Sequence, residues 1–245
     1  MNKESFAYTY ERILKKNGLS EHLDKTEQMF YLSERLVETN KSLNLTAITD
    51  EDGVILKHLA DSLSISAYIE EGASVLDVGC GAGFPSLPLA IARPDIRLVS
   101  VDSTEKKIQY VNETARLMGL DHLKAIAMRA EDGARDPALR ETFDVCTARA
   151  VASLPLLCEL CLPYVRVGGL FLAMKAKGGE AELEAAQNAI HALCGSSKDT
   201  TVRTVCFSLE SDTESYERNL IVIRKGGHTP KNFPRHYSQM KKKPL

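Results

Sequence analysis

VLDVGCGAGFP (residues 75–85) decides the fold. A short apolar run carrying Asp77 breaks into Gly79, Gly81 and Gly83, and Pro85 follows two residues later. A strand that runs into a glycine loop and then a helix is how an open α/β sheet brings backbone amides close to a nucleotide-like ligand. Outward from this stretch, SVLDVG, IRLVSVD, LKAIAM, FDVCTA and GGLFLAMKA read as strands. Helical patterns over residues 85–92, 104–118, 153–164 and 180–193 separate or follow them. Two further runs, TVRTVCFSL and RNLIVIRK, have no helix between them and should form a hairpin. The alternation predicts an α/β, Rossmann-like fold: a seven-stranded, mostly parallel sheet with helices on both faces and one antiparallel strand. Residues 1–72 read as an N-terminal helical extension, including a capping-box-like start at Asp24 and Glu27. The expected organisation is a helical subdomain over 1–72, a core over 73–223 and a basic tail over 224–245, in one globular unit.

Which ligand the loop holds turns on its neighbours. Counting from Gly79, Phe84 stands where a dinucleotide fingerprint wants its third glycine. A carboxylate at Asp77 opposes a pyrophosphate but suits the cationic amino and sulfonium centres of S-adenosylmethionine. Pro85 removes an amide that a phosphate at a helix N-terminus would use. Asp102, at the end of the second strand, is placed to bond ribose hydroxyls in either cofactor. Ala130 and Glu131, after the third strand, sit where this fold contacts an adenine, and Arg149 ends the fourth strand. S-adenosylmethionine fits best, and seven strands ending in a hairpin match the class I methyltransferase layout.

Composition narrows the rest. A hydrophobic fraction of 44% and a charged fraction of 26% are ordinary for a globular protein. No apolar run spans a bilayer and the first residues have no signal core, so a cytoplasmic protein with no membrane partner is expected. The six cysteines lie mostly in apolar segments, which suits core thiols. The single CxxC, Cys158 and Cys161, lacks a second pair, so no metal site is expected. Residues 224–245 carry seven Lys or Arg and no acid, leaving 24 basic against 33 acidic side chains, a net of −9, over residues 1–223. Phe233, Tyr237 and two histidines interleave with those charges, a composition that favours nucleic acid.

The fourth strand ends in Thr147-Ala148-Arg149-Ala150. It has neither an Asn-Pro-Pro-Tyr motif for an exocyclic amine nor a Pro-Cys nucleophile for a pyrimidine carbon. An acceptor with its own lone pair, such as a guanine ring nitrogen, needs no deprotonation, and transfer to it can run largely on alignment.

Several motifs together resemble the RsmG (GidB) family of ribosomal RNA small subunit methyltransferases. They are NLTAIT (44–49), KHLADSL (57–63), LDVGCGAGFPSLPLAI (76–91), VDSTEKK (101–107), RAED (129–132) and ARAVASL (148–154). The ending TPKNFPRHYSQMKKKPL is similar to the tail of Gram-positive members. The chain departs from the family in lacking a tryptophan before NLT and in carrying Cys80 where threonine is frequent. The resemblance implies methyl transfer from S-adenosylmethionine to the 7-nitrogen of a guanosine in the 530 loop of 16S ribosomal RNA. It carries the cofactor contacts onto Gly79, Phe84, Ala130 with Glu131, and Arg149. Gly81, Asp77 and Asp102 complete the expected cofactor set, and Arg149 is the expected catalytic residue, serving cofactor or target base. His58, Arg149, Arg235, Lys241, Lys242 and Lys243 are the expected RNA contacts. The implied partner is 16S ribosomal RNA or a 30S particle, met by a monomer. A small-molecule or protein methyltransferase and a non-catalytic assembly factor stay open as alternatives.

Overall fold

The computed structural model describes residues 1–176, 178–195 and 198–245. Seven strands form one sheet: β1 (Ser74–Val78), β2 (Arg97–Asp102), β3 (Leu123–Ala127), β4 (Phe143–Arg149), β5 (Val165–Lys175), β6 (Thr201–Glu210) and β7 (Ser215–Arg224). Their order is β3-β2-β1-β4-β5-β7-β6. Pairings among β1 to β5 are parallel. β7 runs antiparallel to both β5 and β6, as the missing helix between the last two runs predicts. The order reverses between β1 and β4, and a crevice opens beyond the carboxyl ends of strands at such a switch point.

Helices α1 (Lys3–Lys16), α2 (Thr26–Leu43), α3 (Ser86–Ala92) and α4 (Glu105–Leu117) precede α5 (Ala130–Gly133) and α6 (Leu154–Cys161). After β5 come α7 (Gly179–Ala185) and α8 (Gln187–Leu193), and α9 (Tyr237–Lys242) follows β7. The period-two alternation of β1 sends Val75 to one core and Leu76 to the other. Phe6, Tyr10, Leu32 and Leu36 of α1 and α2 share the first core with Val75, Leu98 and Leu172. Each such fully buried side chain contributes roughly 1.5–3 kcal/mol, so residues 1–72 are packed into the sheet's own core. Cys146, Phe171 and Ile221 share the second core with α6 and with Met240 of α9. Five cysteines are buried, whereas Cys206 is exposed on the edge strand β6.

Three local features depart from the sequence reading. Asp24 does not cap α2, because residues Ser20–Lys25 form a 3₁₀ turn that runs straight into the helix, leaving Lys25 at the cap without a side-chain bond. The third helical pattern breaks up: a seven-residue π-helix, Val54–Ala60, lies between single α-turns at Glu51–Gly53 and Asp61–Leu63. The helix over 180–193 splits at Ala186, between α7 and α8.

The basic tail is docked. Lys225 is fully buried and donates to Glu141 at 2.6 Å, Leu162 O at 2.9 Å and Val165 O at 2.8 Å, which satisfies all three ammonium hydrogens. Burial pushes the Glu141 carboxyl up, and the bonds from Lys225, Thr229 and His228 more than reverse it, holding it at about 2. Arg140 donates to the carbonyls of Thr229 at 2.9 Å and Phe233 at 2.8 Å. Arg135 donates to that of Pro234 at 2.8 Å.

Candidate active site

A cavity of about 420 Å³ opens at the switch point, between the ends of β1, β2 and β4. Gly79, Gly81, Phe84, Asp102, Ala130, Glu131, Arg149 and His58 all line it. Gly81 has φ +55°, a backbone that side chains rarely adopt, and a Cβ there would meet no protein atom within 4 Å. The space beside it opens into the cavity. Gly79 likewise has a positive φ, +73°, and a Cβ there would in addition come within 2.5 Å of Val151, which closes the cavity from the β4 side.

Asp102 holds the loop as well as facing the cavity. One carboxylate oxygen accepts from Gly81 N–H at 3.0 Å and the other from Thr104 N–H at 2.8 Å. Each oxygen keeps a further lone pair for a hydroxyl. Ala130 opens α5, and its carbonyl accepts from the Tyr164 hydroxyl at 2.6 Å, which fixes the edge on which Glu131 stands.

Asp77 is elsewhere. Its side chain is 1% exposed and lies beneath the loop, outside the cavity lining. Ser86 donates to its Oδ2, and Ser100 donates to Ser86 at 2.6 Å, so a buried chain runs from β2 through α3 to β1. Burial pushes the Asp77 carboxyl up to about 6 against the pull of Ser86. The direct contact with cationic centres expected of Asp77 is therefore replaced by support of the loop from below. The cause is strand alternation: Asp77 shares a face with Val75, under α3, two residues before the chain turns.

Arg149 ends β4 and is pinned by the π-helical segment. It donates to Lys57 O at 2.8 Å and Asp61 Oδ2 at 2.9 Å, and its guanidinium lies 5.6 Å from the centre of the Phe84 ring. Asp61, also 1% exposed, takes a second arginine: Arg218 of β7 reaches Oδ1 at 2.6 Å and Oδ2 at 3.1 Å. His58 stacks on Phe84 with ring centres 4.7 Å apart. Its Nδ1 faces Arg149 at 3.4 Å and its Nε2 faces Thr46 Oγ1 at 2.8 Å. An arginine can only donate, so Nδ1 accepts and Nε2 carries the hydrogen. Burial, then the Arg149 charge, lowers the imidazole to about 3, so His58 is neutral. Ala150, the next residue, holds φ +56° at the cavity mouth.

The tail reaches this site too. Tyr237 of α9 lines the cavity, with the Arg129 guanidinium 5.9 Å from its ring centre. Arg235 does not stand free for phosphate, because its guanidinium is paired with buried Glu159 of α6. Lys241, Lys242 and Lys243 are exposed. The positions that sequence reading missed are Thr46, Arg218 and the wall-forming place of Tyr237. Thr46 lay within a quoted motif, while Arg218 gave no signal beyond a charge in an apolar strand.

The family profile described as rRNA small subunit methyltransferase G (GidB) matches residues 25–224. The chain belongs to this family. The ribosomal RNA small subunit methyltransferase G of Halalkalibacterium halodurans is 43% identical, covering 95% of this chain and 96% of that one. Its namesake from Geobacillus thermodenitrificans is 41% identical over 98% and 99%, and that from Staphylococcus carnosus is 45% identical over 91% and 92%. Among solved structures, the fold is similar to an O-methyltransferase from Bacillus cereus in complex with SAH, with a TM-score of 0.55 and 16% identity over 80% of this chain and 91% of that one. A SAM-dependent O-methyltransferase from Thermotoga maritima gives a TM-score of 0.52 at 14% identity, over 80% and 72%. These likenesses establish the class I Rossmann-like fold. The side-chain chemistry agrees with S-adenosylmethionine: an open glycine cradle at Gly81, a strand-end carboxylate at Asp102 and a polar edge at Ala130 and Glu131. No helix among the described residues is long and apolar enough to cross a membrane.

Proposed function

We propose that this chain transfers a methyl group from S-adenosylmethionine to the 7-nitrogen of a guanosine in the 530 loop of 16S ribosomal RNA, acting in the cytoplasm as a monomer on the RNA or a 30S particle. Membership of the methyltransferase G family supports the substrate class. The observation that carries the acceptor chemistry is His58. It is the one imidazole lining the cavity among the described residues, and both of its ring nitrogens are engaged, by Arg149 and by Thr46. No free imidazole base faces the reacting centre, which suits an acceptor that keeps its protons. S-adenosylmethionine supplies an electrophilic methyl group on a positively charged sulfur, which an N7 lone pair can take without losing a proton.

The chain's own contribution is alignment. Gly81 lets the backbone approach, and Asp102 offers its remaining lone pairs to ribose hydroxyls. Ala130 and Glu131 offer a backbone group and a carboxylate to an adenine edge. Arg149, fixed by Lys57 O and Asp61, presents its guanidinium at the cavity wall without freedom to swing. Lys241, Lys242 and Lys243 add phosphate contacts that carry no sequence information.

The test is primer-extension or mass mapping of ribosomal RNA from a deletion strain, with labelled-cofactor transfer to 30S subunits by the purified chain. Loss of one 7-methylguanosine in the deletion strain, restored on complementation, is the expected result. An unchanged RNA methylation pattern would move the activity to another substrate, and no turnover at all would leave an assembly factor.

A further inference from the structure

A second cavity of about 380 Å³ adjoins the first. The two share His58, Arg149 and Ala150, so a single wall separates them. The second lies between the ends of β4 and β5, the start of β7 and the π-helical turn, with Glu182 of α7 closing it.

Its lining is electropositive in an acidic body. Lys57, Arg149, Lys175 and Arg218 face Asp61 and Glu182 there. Even counting Glu214, which pairs with Lys57 at 2.5 Å, one positive charge remains, whereas residues 1–223 together carry −9. A flat surface is present as well: the Arg218 guanidinium lies 5.2 Å from the centre of the Tyr216 ring, and planar groups of this kind stack on nucleobases. Glu182 is held in place, accepting from Lys175 at 2.7 Å and from Leu154 N–H at 2.8 Å.

We infer that this second cavity takes the acceptor guanosine, extruded from the RNA, and that Glu182 and Lys175 read its Watson–Crick edge. The inference rests on the function proposed above. A base stacked inside a loop does not present its Watson–Crick edge to a cavity wall, and enzymes that modify bases draw them out of the stack. Guanine offers two donors, N1–H and the 2-amino group, beside one acceptor, O6. A carboxylate next to an ammonium is the complement of that edge, and adenine lacks it. With that edge held at Glu182 and Lys175, N7 turns toward the wall shared with the cofactor cavity. Glu182 and Lys175 are thus specificity-determining residues, and Arg149, on the shared wall, is common to both ligands.

The test uses the full chain, labelled cofactor and 16S RNA carrying guanosine or inosine at the target. Inosine lacks only the 2-amino group. The wild type is expected to favour guanosine by about 10- to 100-fold in kcat/KM, the range for leaving a buried polar group unpaired. Glu182→Gln should lower transfer to guanosine and shrink the guanosine-to-inosine ratio below about threefold, while calorimetric affinity for S-adenosylmethionine stays within twofold. A merely structural glutamate would lower both substrates alike. Ala176→Trp, at an exposed position on the cavity wall, should block transfer to RNA with cofactor affinity retained. An unchanged ratio in Glu182→Gln, or wild-type transfer by Ala176→Trp, overturns the inference and leaves the proposed function standing. A wild-type chain that methylates no ribosomal RNA overturns both.

Discussion

The Arg235 guanidinium grips both oxygens of the Glu159 carboxylate, with Nη2 donating to Oε2 at 2.6 Å and Nε to Oε1 at 2.9 Å. Glu159 is 1% exposed, on a helix otherwise made of apolar residues and cysteine. Arg235→Ala would leave that carboxylate buried with only the backbone N–H of residue 235, at 2.8 Å, to meet its charge, so the expected cost is about 3 kcal/mol in urea unfolding. The double variant Arg235→Met with Glu159→Met should recover most of it. Failure to recover would mean that the ion pair itself holds the tail, beyond the penalty of an unpaired buried charge.

The exposed lysines of α9 and beyond should behave differently. Replacing Lys241, Lys242 and Lys243 by Gln should leave stability within about 0.5 kcal/mol. Affinity for RNA should fall, and the slope of log affinity against log salt should flatten by about 2 if all three meet phosphates of single-stranded RNA. Truncation after Ile223 would be a poor version of this experiment, because it also removes buried Lys225 and its bonds to Glu141.

Tyr237→Ala should weaken S-adenosylmethionine binding by calorimetry, by about 1–2 kcal/mol if the ring stacks against the adenine. Tyr237→Phe should keep wild-type affinity. An equal loss in both variants would assign the effect to the hydroxyl instead.

Two buried groups shift with opposite sign. Asp77, raised to about 6, folds more favourably protonated. Its penalty is full above pH 6 and disappears as pH falls toward its unfolded value of 3.8. His58, lowered to about 3, folds neutral. Its contribution is intact above its unfolded value of 6.5 and is lost as pH drops below it. Between pH 6 and 4 each contributes a slope near 1.4 kcal/mol per unit, and the two oppose. Asp77→Asn, which cannot ionise, should gain roughly 3 kcal/mol over the wild type at pH 7 and nothing at pH 4. A gain that does not depend on pH would show that the carboxyl is not the strained group.

The sheet was legible because short apolar, β-branched runs alternate with helical patterns, and strands such as β1 and β4 are buried almost continuously, as a parallel sheet covered on both faces requires. The helix over 104–118 emerged as α4 within a residue at each end. What could not be read were partners distant in sequence. Arg235 and Lys225 look like free tail cations until the fold brings Glu159 and Glu141 to them, 76 and 84 residues away. Asp77 illustrates a different limit. Its position in the motif was clear, but whether its side chain pointed into the cavity or under α3 depended on the phase of β1. The π-helix had no signal at all, since its apolar spacing is indistinguishable from an α-helical one over seven residues.

The place of Tyr237 bears on how the chain is made. The ligand cradle begins at Gly79, and the ring that closes its far side comes 158 residues later. Synthesis runs from the N-terminus, and a contact of such long sequence separation forms late. The sheet can therefore assemble around an unfinished cradle, and tight capture of the methyl donor waits until α9 has left the ribosome and docked. A chain lacking α9 would be missing the ring that lines the cradle and also Met240 of the second core, so its capture of the methyl donor and the sealing of that core are completed together.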